Sequence, residues 1–154
     1  MDAKLINPFV DAFTTVMPML SFPEPKRTKL YAASMRVKSL GVSMLVGFTK
    51  QIRGNVVYNM SEDTARFIAS QMMMGMPVAT FDEMAQSAIS ELSNMLTAHT
   101  ATNITGLGLD VDISTPSLTV GKDFEVKISD GQYLIVEMNL SGQLVDLAIA
   151  VDQT

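Results

Sequence analysis

The N-terminal part of the chain carries apolar residues at helical spacing. Between residues 3 and 20 they approach the i, i+3, i+4, i+7 pattern of an amphipathic helix, at Leu5, Ile6, Phe9, Val10, Phe13, Val16, Met17 and Leu20. Asn7 and Pro8 suit the start of the regular helix, because proline fits a first helical position. Two prolines within residues 22–26 then predict a loop.

Three strand-like runs follow this loop, at residues 31–37, 43–49 and 55–60. The first run is mixed in character and the second is mostly apolar. The third carries Val56, Val57 and Tyr58, which favour β-structure. The breaks in the pattern at residues 39–41 and 51–54 predict hairpin turns between consecutive strands.

Two helices are predicted next. Ser61 suits the N-cap of the first helix, because a serine side-chain oxygen can accept a hydrogen bond from the backbone there. The two acidic residues that follow it are favourable in a first helical turn. Gly75 and Pro77 mark the end of this helix. The second helix is longer, covers residues 81–104 and stops at Gly106.

The C-terminal third of the chain alternates between apolar and polar residues, as strands do. Its strand-like runs are Val111 with Ile113, residues 124–128, residues 133–140 and residues 144–151. Asp130-Gly131 and Ser141-Gly142 are turn dipeptides between these runs. Because strands joined by tight turns pair antiparallel, the sequence predicts an α+β fold, an antiparallel or mixed sheet with two or three helices packed on it. Residues 1–154 are expected to form a single domain, since typical domains contain roughly 100–200 residues.

Composition limits the chemistry that the chain can perform. Apolar residues make up 47% and charged residues 18%, which indicates a folded protein with a hydrophobic core. Cysteine is absent and His99 is the single histidine, so disulfides, thiolate–metal sites and two-histidine metal motifs are excluded. His99 falls on the apolar side of the long helix and is interpreted as a core residue. No phosphate-binding glycine loop is found, so we expect the isolated protein to bind neither nucleotide nor transition metal.

The net charge of −5 is unevenly distributed along the chain. Residues 1–66 carry nine Lys or Arg against five Asp or Glu, whereas residues 67–154 carry two against eleven. An acidic chain without a basic stripe argues against a nucleic-acid partner. We interpret the asymmetry as solvated charge; a bipolar surface that orients a partner is the alternative. No apolar run approaches the roughly 20 residues of a transmembrane helix, and the N-terminus makes a poor signal peptide, so a cytoplasmic location without a membrane partner is expected.

A narrow polar strip runs along the long predicted helix. At about 100° per residue, Ser87, Glu91 and Asn94 fall on the side opposite the apolar positions. Ala98 continues the strip with a side chain too small to obstruct a partner. Glu91 and Asn94 lie about 60° apart around the axis and about 4.5 Å apart along it, so both can address one small target. Such spacing is common on solvated surfaces, but asparagine is a poor helix former, which favours a role for Asn94.

The strip belongs to a longer pattern, Ser-x-x-x-Glu-x-x-Asn followed some twenty residues later by a proline. In this chain it reads SAISELSNMLTAHTATNITGLGLDVDISTP, from Ser87 to Pro116. The pattern resembles the signature of the CheX/CheC/FliY chemotaxis phosphatases, and residues 75–77 and 82–83 are also similar to CheX. The order of elements agrees as well. The resemblance therefore covers nearly the whole chain and implies a CheC-like (CheX) fold.

The resemblance implies a hydrolase that acts on the phospho-aspartate of a response regulator such as CheY. The receiver supplies Mg²⁺ and a lysine, so the phosphatase needs no cofactor of its own and only places a water in line with the phosphorus. Asn94 would hold this water, because an amide oxygen accepts from water while its nitrogen donates to phosphoryl oxygens. Glu91 would pair with the receiver's lysine. Ser87 and Ala98 would lie on the docking face.

Only one copy of the motif is present in this chain. CheC-type chains carry it on two helices, so a single copy favours a CheX-like protein. CheX-like proteins pair through their sheets, and the resemblance therefore also implies a homodimer. A module that binds a receiver without hydrolysis and a structural component of a flagellar or chemotaxis assembly are the alternatives. An intact pair of Glu91 and Asn94 favours the enzyme over both.

Two other groups of residues precede or overlap the strip. Met72, Met73, Met74 and Met76 are suited to an adaptable docking surface, but such methionines more often fill gaps in a core, and we favour that interpretation. Glu83 and Gln86 repeat the acid–amide spacing. Gln86 is expected to point away from the strip, so this pair is assigned no role.

Overall fold

The computed structural model describes all 154 residues, as three helices packed on a seven-stranded antiparallel sheet. The helices are α1 (Asn7–Met19), which follows a short 3₁₀ helix at Ala3–Ile6, α2 (Glu62–Met72) and α3 (Glu83–Gly106). The strands are β1 (Lys26–Lys38), β2 (Gly41–Lys50), β3 (Ile52–Ser61), β4 (Val111–Ile113), β5 (Ser117–Gly121), β6 (Glu125–Leu140) and β7 (Gln143–Gln153). The predicted α+β fold is thereby confirmed. None of the helices combines the length and the apolar character needed to cross a membrane.

The strands lie in the order β1-β6-β7-β3-β2-β4, and β5 pairs with β2 on the same edge as β4. The predicted hairpin at residues 39–41 is wrong, because β1 pairs with β6 and β2 pairs with β3. Other segments satisfy the polar groups of this crossing. The backbone N–H of Ser39 donates to the carbonyl of Phe124, and the backbone N–H of Leu40 donates to the side-chain oxygen of Asn59. Residues 39–40 thus connect β1 to β2, which are consecutive in the chain but not neighbours in the sheet.

Of the other turn predictions, one needs correction and two are confirmed. Gly54 lies inside β3, where the β7 backbone passes so close that a Cβ would collide with the carbonyl oxygen of Ala150. The predicted hairpin at residues 51–54 is nevertheless confirmed, because β2 pairs antiparallel with β3 and their pairing ends at Phe48 and Gly54. Residues 130–131 lie within β6, beside an irregularity in its pairing with β1. Residues 141–142 do form the β6–β7 turn, with φ of 54° and 86°, and positive φ at both positions is what a type I′ turn requires.

The main hydrophobic core lies between the helices and the inner face of the sheet. Phe9 and Phe13 of α1 are buried in it, and the ring of Phe9 meets that of Phe48 edge-on at a centroid distance of 5.3 Å. Ile68 of α2 and Leu96 of α3 belong to the same cluster. Each such side chain contributes roughly 1.5–3 kcal/mol when fully buried, so apolar packing holds all three helices to the sheet.

A smaller cluster covers part of the outer face of the sheet. Val37 near the end of β1 and Ile128 near the start of β6 belong to one buried cluster with Val57 of β3. The side-chain amide of Asn55 donates to the carbonyl of Ile128 at 3.1 Å. The distal ends of β1 and β6 therefore fold across this face, which no helix covers.

β1 forms an exposed edge of the sheet. Its residues from Lys26 to Arg36 are exposed except for the half-buried Ala33, and the apolar Leu30 and Tyr31 are among the exposed ones. No strand pairs with the outer side of β1. Its unpaired backbone N–H and C=O groups can therefore pair with another chain.

Asp146 lies on the outer face of β7, opposite Glu137 of β6. Burial, followed by the negative charge of Glu137, raises the pKa of Asp146 to about 6, and Lys29 opposes this rise. The folded chain therefore binds a proton at Asp146 more readily than the unfolded chain does.

We predict that Asp146→Asn stabilises the fold at neutral pH. Because the folded-state pKa of Asp146 lies above its usual 3.8, the native state loses stability as pH rises from about 4 to about 6. The variant should lack this loss and gain about 1 kcal/mol near pH 8, a value reduced for solvent screening at this partly exposed site. Urea unfolding across this pH range measures the effect, with the exposed Asp123→Asn as control. Equal stability of parent and Asp146→Asn near pH 8 would contradict the assignment.

Candidate functional site

The long helix α3 carries the predicted strip. Asp82 caps the helix, and its side chain accepts a hydrogen bond from the backbone N–H of Ala85 at 3.0 Å. The helix then runs for 24 residues to Gly106 and packs against α1 and α2. Its buried residues are Ala85, Ile89, Leu92, Ser93, Leu96, Thr97, Thr100 and Ile104. The opposite side of α3 consequently faces solvent.

The buried face of α3 is rotated relative to the predicted one. Met95 and His99 are only half-buried, whereas the small polar Ser93, Thr97 and Thr100 lie in the core. The hydroxyls of Thr97 and Thr100 donate to backbone carbonyls one turn earlier, so these two residues are satisfied within the helix. His99 lies at the margin of the buried face of α3, so its assignment to the core is wrong.

Tyr58 of β3 lies beneath this polar part of α3. Its hydroxyl forms no hydrogen bond of normal geometry, although Thr97 and Thr100 lie beside it. Burial raises the pKa of Tyr58 to about 12, and the two threonine hydroxyls oppose the rise. The hydroxyl of Ser93 also lacks a partner. Packing, rather than hydrogen bonds between helix and sheet, therefore sets the position of α3 here.

The four predicted site residues lie together on the exposed side of α3. Ser87, Glu91, Asn94 and Ala98 are all exposed and follow one another at steps of four, three and four residues. Glu91 and Asn94 form no ion pair or side-chain hydrogen bond within the chain, unlike Gln86 one turn earlier. Both side chains are therefore free to engage a partner.

A shallow depression borders the strip on the side of β5. Glu91 and Asn94 line it from the helix, and Leu118 of β5 forms its apolar wall. Pro116, which ends the sequence signature, precedes β5 by one residue. The sequence pattern does not predict β5, because the strand has only five residues and they are mostly exposed. The signal available in the sequence was the proline some twenty residues after Asn94, which indicates that the segment around Pro116 belongs with the strip.

Glu83 and Gln86 also line this depression. Gln86 is nevertheless half-buried, whereas the four strip residues are exposed. Its side-chain nitrogen donates to the carbonyl of Phe81 at 3.1 Å, so that donor is engaged in fixing the start of α3. Glu83 adds a second carboxylate two turns before Glu91.

The strip combines a carboxylate and an amide on adjacent turns of a rigid helix. The carboxylate can pair with a cation, and the amide can accept from a water while donating to an oxyanion. No group of three or more His, Cys, Asp or Glu side chains is arranged to hold a metal ion. The arrangement therefore suits the positioning of a water beside a charged group that a partner brings.

The sequence matches that of known proteins over most of its length. A family model described as chemotaxis phosphatase CheX matches residues 42–139. The CheY-P phosphatase CheX of Thermotoga maritima is 34% identical over 128 residues, which is 82% of this chain and 82% of that protein. The residues matched by the family model include α3, the strip and β5.

Solved structures share the whole architecture. The CheC-like superfamily protein from Shewanella sp. PV-4 has a TM-score of 0.86 and 25% identity, covering 99% of both chains. The complex of CheX with CheY, BeF3 and Mg²⁺ from Borrelia burgdorferi has a TM-score of 0.81 and 25% identity, covering 97% of this chain and 98% of that chain.

We predict that Asn94→Ala does not destabilise the fold. Because Asn94 is exposed and unpaired within a helix, alanine should raise the free energy of unfolding by about 0.5 kcal/mol. The buried Leu96→Ala on the same helix should instead lose about 2–5 kcal/mol. Urea denaturation compares the two. A clear loss of stability in Asn94→Ala would mean that Asn94 serves the fold.

Proposed function

Because this chain belongs to the CheX family of chemotaxis phosphatases, we propose that it hydrolyses the aspartyl phosphate of a CheY-like response regulator. The observation that carries the proposal is the exposed, unpaired pair of Glu91 and Asn94 on α3. We further propose that residues 1–154 act as one phosphatase domain, and that the domain works in the cytoplasm with its receiver.

Asn94 positions the attacking water in this proposal. Its amide oxygen accepts a hydrogen bond from the water, and its amide nitrogen donates to a phosphoryl oxygen. The water oxygen then bonds to phosphorus as the bond to the aspartyl oxygen breaks, and the water's protons leave with the phosphate and solvent. The aspartate departs as a carboxylate. Positioning and electrostatic stabilisation suffice, since an acyl phosphate is already activated.

Glu91 binds the receiver in this proposal. Its carboxylate pairs with the lysine of the receiver's phosphorylation site, which fixes the docked helix and draws that lysine from the phosphate. Ser87 and Ala98 flank the pair with small side chains, so the receiver surface can approach α3 closely.

Mg²⁺ belongs to the phosphorylated partner in this proposal. Support comes from the Borrelia structure, in which CheX and CheY occur with Mg²⁺ and BeF3. Glu91 and Asn94 then need to supply only hydrogen bonds and one negative charge.

We predict that Asn94→Ala binds the receiver nearly as well as the parent but dephosphorylates it about 100-fold more slowly. A loss of this size is typical when one positioned polar group is removed from an active site. Glu91→Ala should weaken both binding and turnover, because the ion pair serves both. Glu91→Gln keeps the shape and removes the charge, so it tests the ion pair alone. Loss of phosphate from a phosphorylated receiver measures turnover for each variant at equal concentration.

The exposed Asp11→Asn on α1 is the control for a lost charge and should behave as the parent. If Asn94→Ala matches the parent rate, the proposed mechanism is wrong. If the parent binds the receiver but does not accelerate its dephosphorylation, a binding module becomes the better description.

We also propose that the chain forms a homodimer through β1. This edge is long and exposed and carries Leu30 and Tyr31, whereas β4 and β5 at the opposite edge have three and five residues. Pairing of two β1 strands would extend the sheet and cover both apolar side chains.

We predict that the double substitution Leu30→Glu and Tyr31→Glu yields a monomer at micromolar concentration. The two glutamates of each chain would point to opposite faces of the sheet, so like charges would be added on both faces of the paired edges, and like charges oppose strand pairing. Analytical ultracentrifugation measures the mass. Leu144→Glu, at an exposed apolar position of the interior strand β7, should leave the dimer intact. A parent that sediments as a monomer, or a double variant that remains a dimer, would overturn the interface.

A further inference from the structure

An exposed methionine surface adjoins the strip at the start of α3. Met74, Met76 and Met84 are 97%, 55% and 61% exposed. Met84 lies three residues before Ser87, so the two share one side of the helix. Met74 and Met76 come from the segment between α2 and α3. The interpretation that they fill the core is therefore wrong, although Met72 and Met73 are half-buried and contact it.

The segment that carries these methionines has a defined conformation. Met74 and Gly75 have φ of 60° and 84°, and the left-handed region is unfavourable for a methionine. The backbone N–H of Gly75 donates to the carbonyl of Ser70 at 2.8 Å, and the hydroxyl of Ser70 donates to the carbonyl of Met76 at 2.8 Å. The chain thus holds an apolar side chain in solvent with a strained backbone.

A second depression separates this segment from the first turn of α3. Met76, Pro77, Val78 and Met84 line it, so its surface is mostly apolar. Asp82, the N-cap residue of α3, lies at its margin. An apolar side chain of a partner that docks along α3 would fit here.

The strip alone is too small to hold a receiver. Ser87 and Ala98 are about 16 Å apart along the axis, whereas a standard complex buries about 800 Å² on each partner. Beyond Ala98 the helix presents the exposed polar residues Thr102 and Thr105. Before Ser87 it presents Met84 and the neighbouring methionines. The apolar contact area that docking needs is therefore available at the N-terminal end of α3.

We propose that Met74, Met76 and Met84 form the apolar half of the receiver-docking surface, continuous with the pair of Glu91 and Asn94. This inference rests on the proposed function. The occupant is an apolar part of the receiver's surface beside its phosphorylation site. The flexible, polarizable methionine side chain suits an irregular apolar surface, so the methionines supply affinity while the strip supplies chemistry.

The test replaces two methionines by a polar residue of similar size, in the double variant Met76→Gln and Met84→Gln. The KM for the phosphorylated receiver should rise about tenfold, as when contact residues of an interface are lost, while the rate at saturation stays close to that of the parent. Binding of the receiver loaded with beryllofluoride and Mg²⁺ should weaken by a similar factor. Leu107→Gln is the matched control, since Leu107 is 62% exposed at the other end of α3. Met84→Leu should retain binding, because it stays apolar.

The outcomes separate this inference from the proposed function. If the double variant keeps the parent KM and affinity while Asn94→Ala loses turnover, the methionine surface has no docking role and the phosphatase proposal stands. If the parent binds the receiver without hydrolysing it and the double variant binds more weakly, the docking surface stands and the catalytic proposal fails. If the double variant becomes a monomer but binds the receiver as the parent does, the methionine surface contacts a second copy of this chain, and the inference is overturned.

Discussion

Ile89, Leu92 and Leu96 pack α3 against the sheet, and their burial determines which side of the helix faces outward. A helix held by several large apolar side chains cannot turn about its axis without exposing them, at a cost of roughly 1.5–3 kcal/mol for each. The side of α3 that carries Glu91 and Asn94 is therefore fixed, although neither side chain forms a hydrogen bond or an ion pair within the chain. The small Thr97 and Thr100 on the buried side lie beside the hydroxyl of Tyr58 of β3.

The proposed site is a convex helix face bordered by shallow depressions, which suits a substrate that is itself a folded protein. The phosphorylation site of the receiver would supply the cleft, the metal ion and the leaving group, while this chain would supply an amide, a carboxylate and a surface. Such a division needs no nucleophile and no buried pocket on the phosphatase. It does need a contact area larger than the strip, and the exposed methionines at the start of α3 would provide that area.

The parts of the fold that local sequence predicts are the helices and the strip. Ser61 is the N-cap of α2 as predicted, and apolar periodicity identifies α1 and α3, because both signals act within a few residues. Strand pairing, by contrast, depends on residues that are far apart in the chain. Residues 39–41 look like a hairpin turn, yet β1 finds its partner in β6, nearly a hundred residues later. The exposure of Met74 was equally hidden, since it depends on where α2 ends and on how the next segment meets α3.

A crystal structure of this chain bound to a CheY-like receiver would show whether Asn94 lies beside the phosphoryl group of the docked receiver. The receiver would carry Mg²⁺ and beryllofluoride as the phosphoryl analogue. We expect the Asn94 amide about 3 Å from a fluorine, or from a water in line with the aspartyl oxygen, with Glu91 beside the receiver's lysine. A complex in which α3 lies away from the beryllofluoride would contradict this expectation.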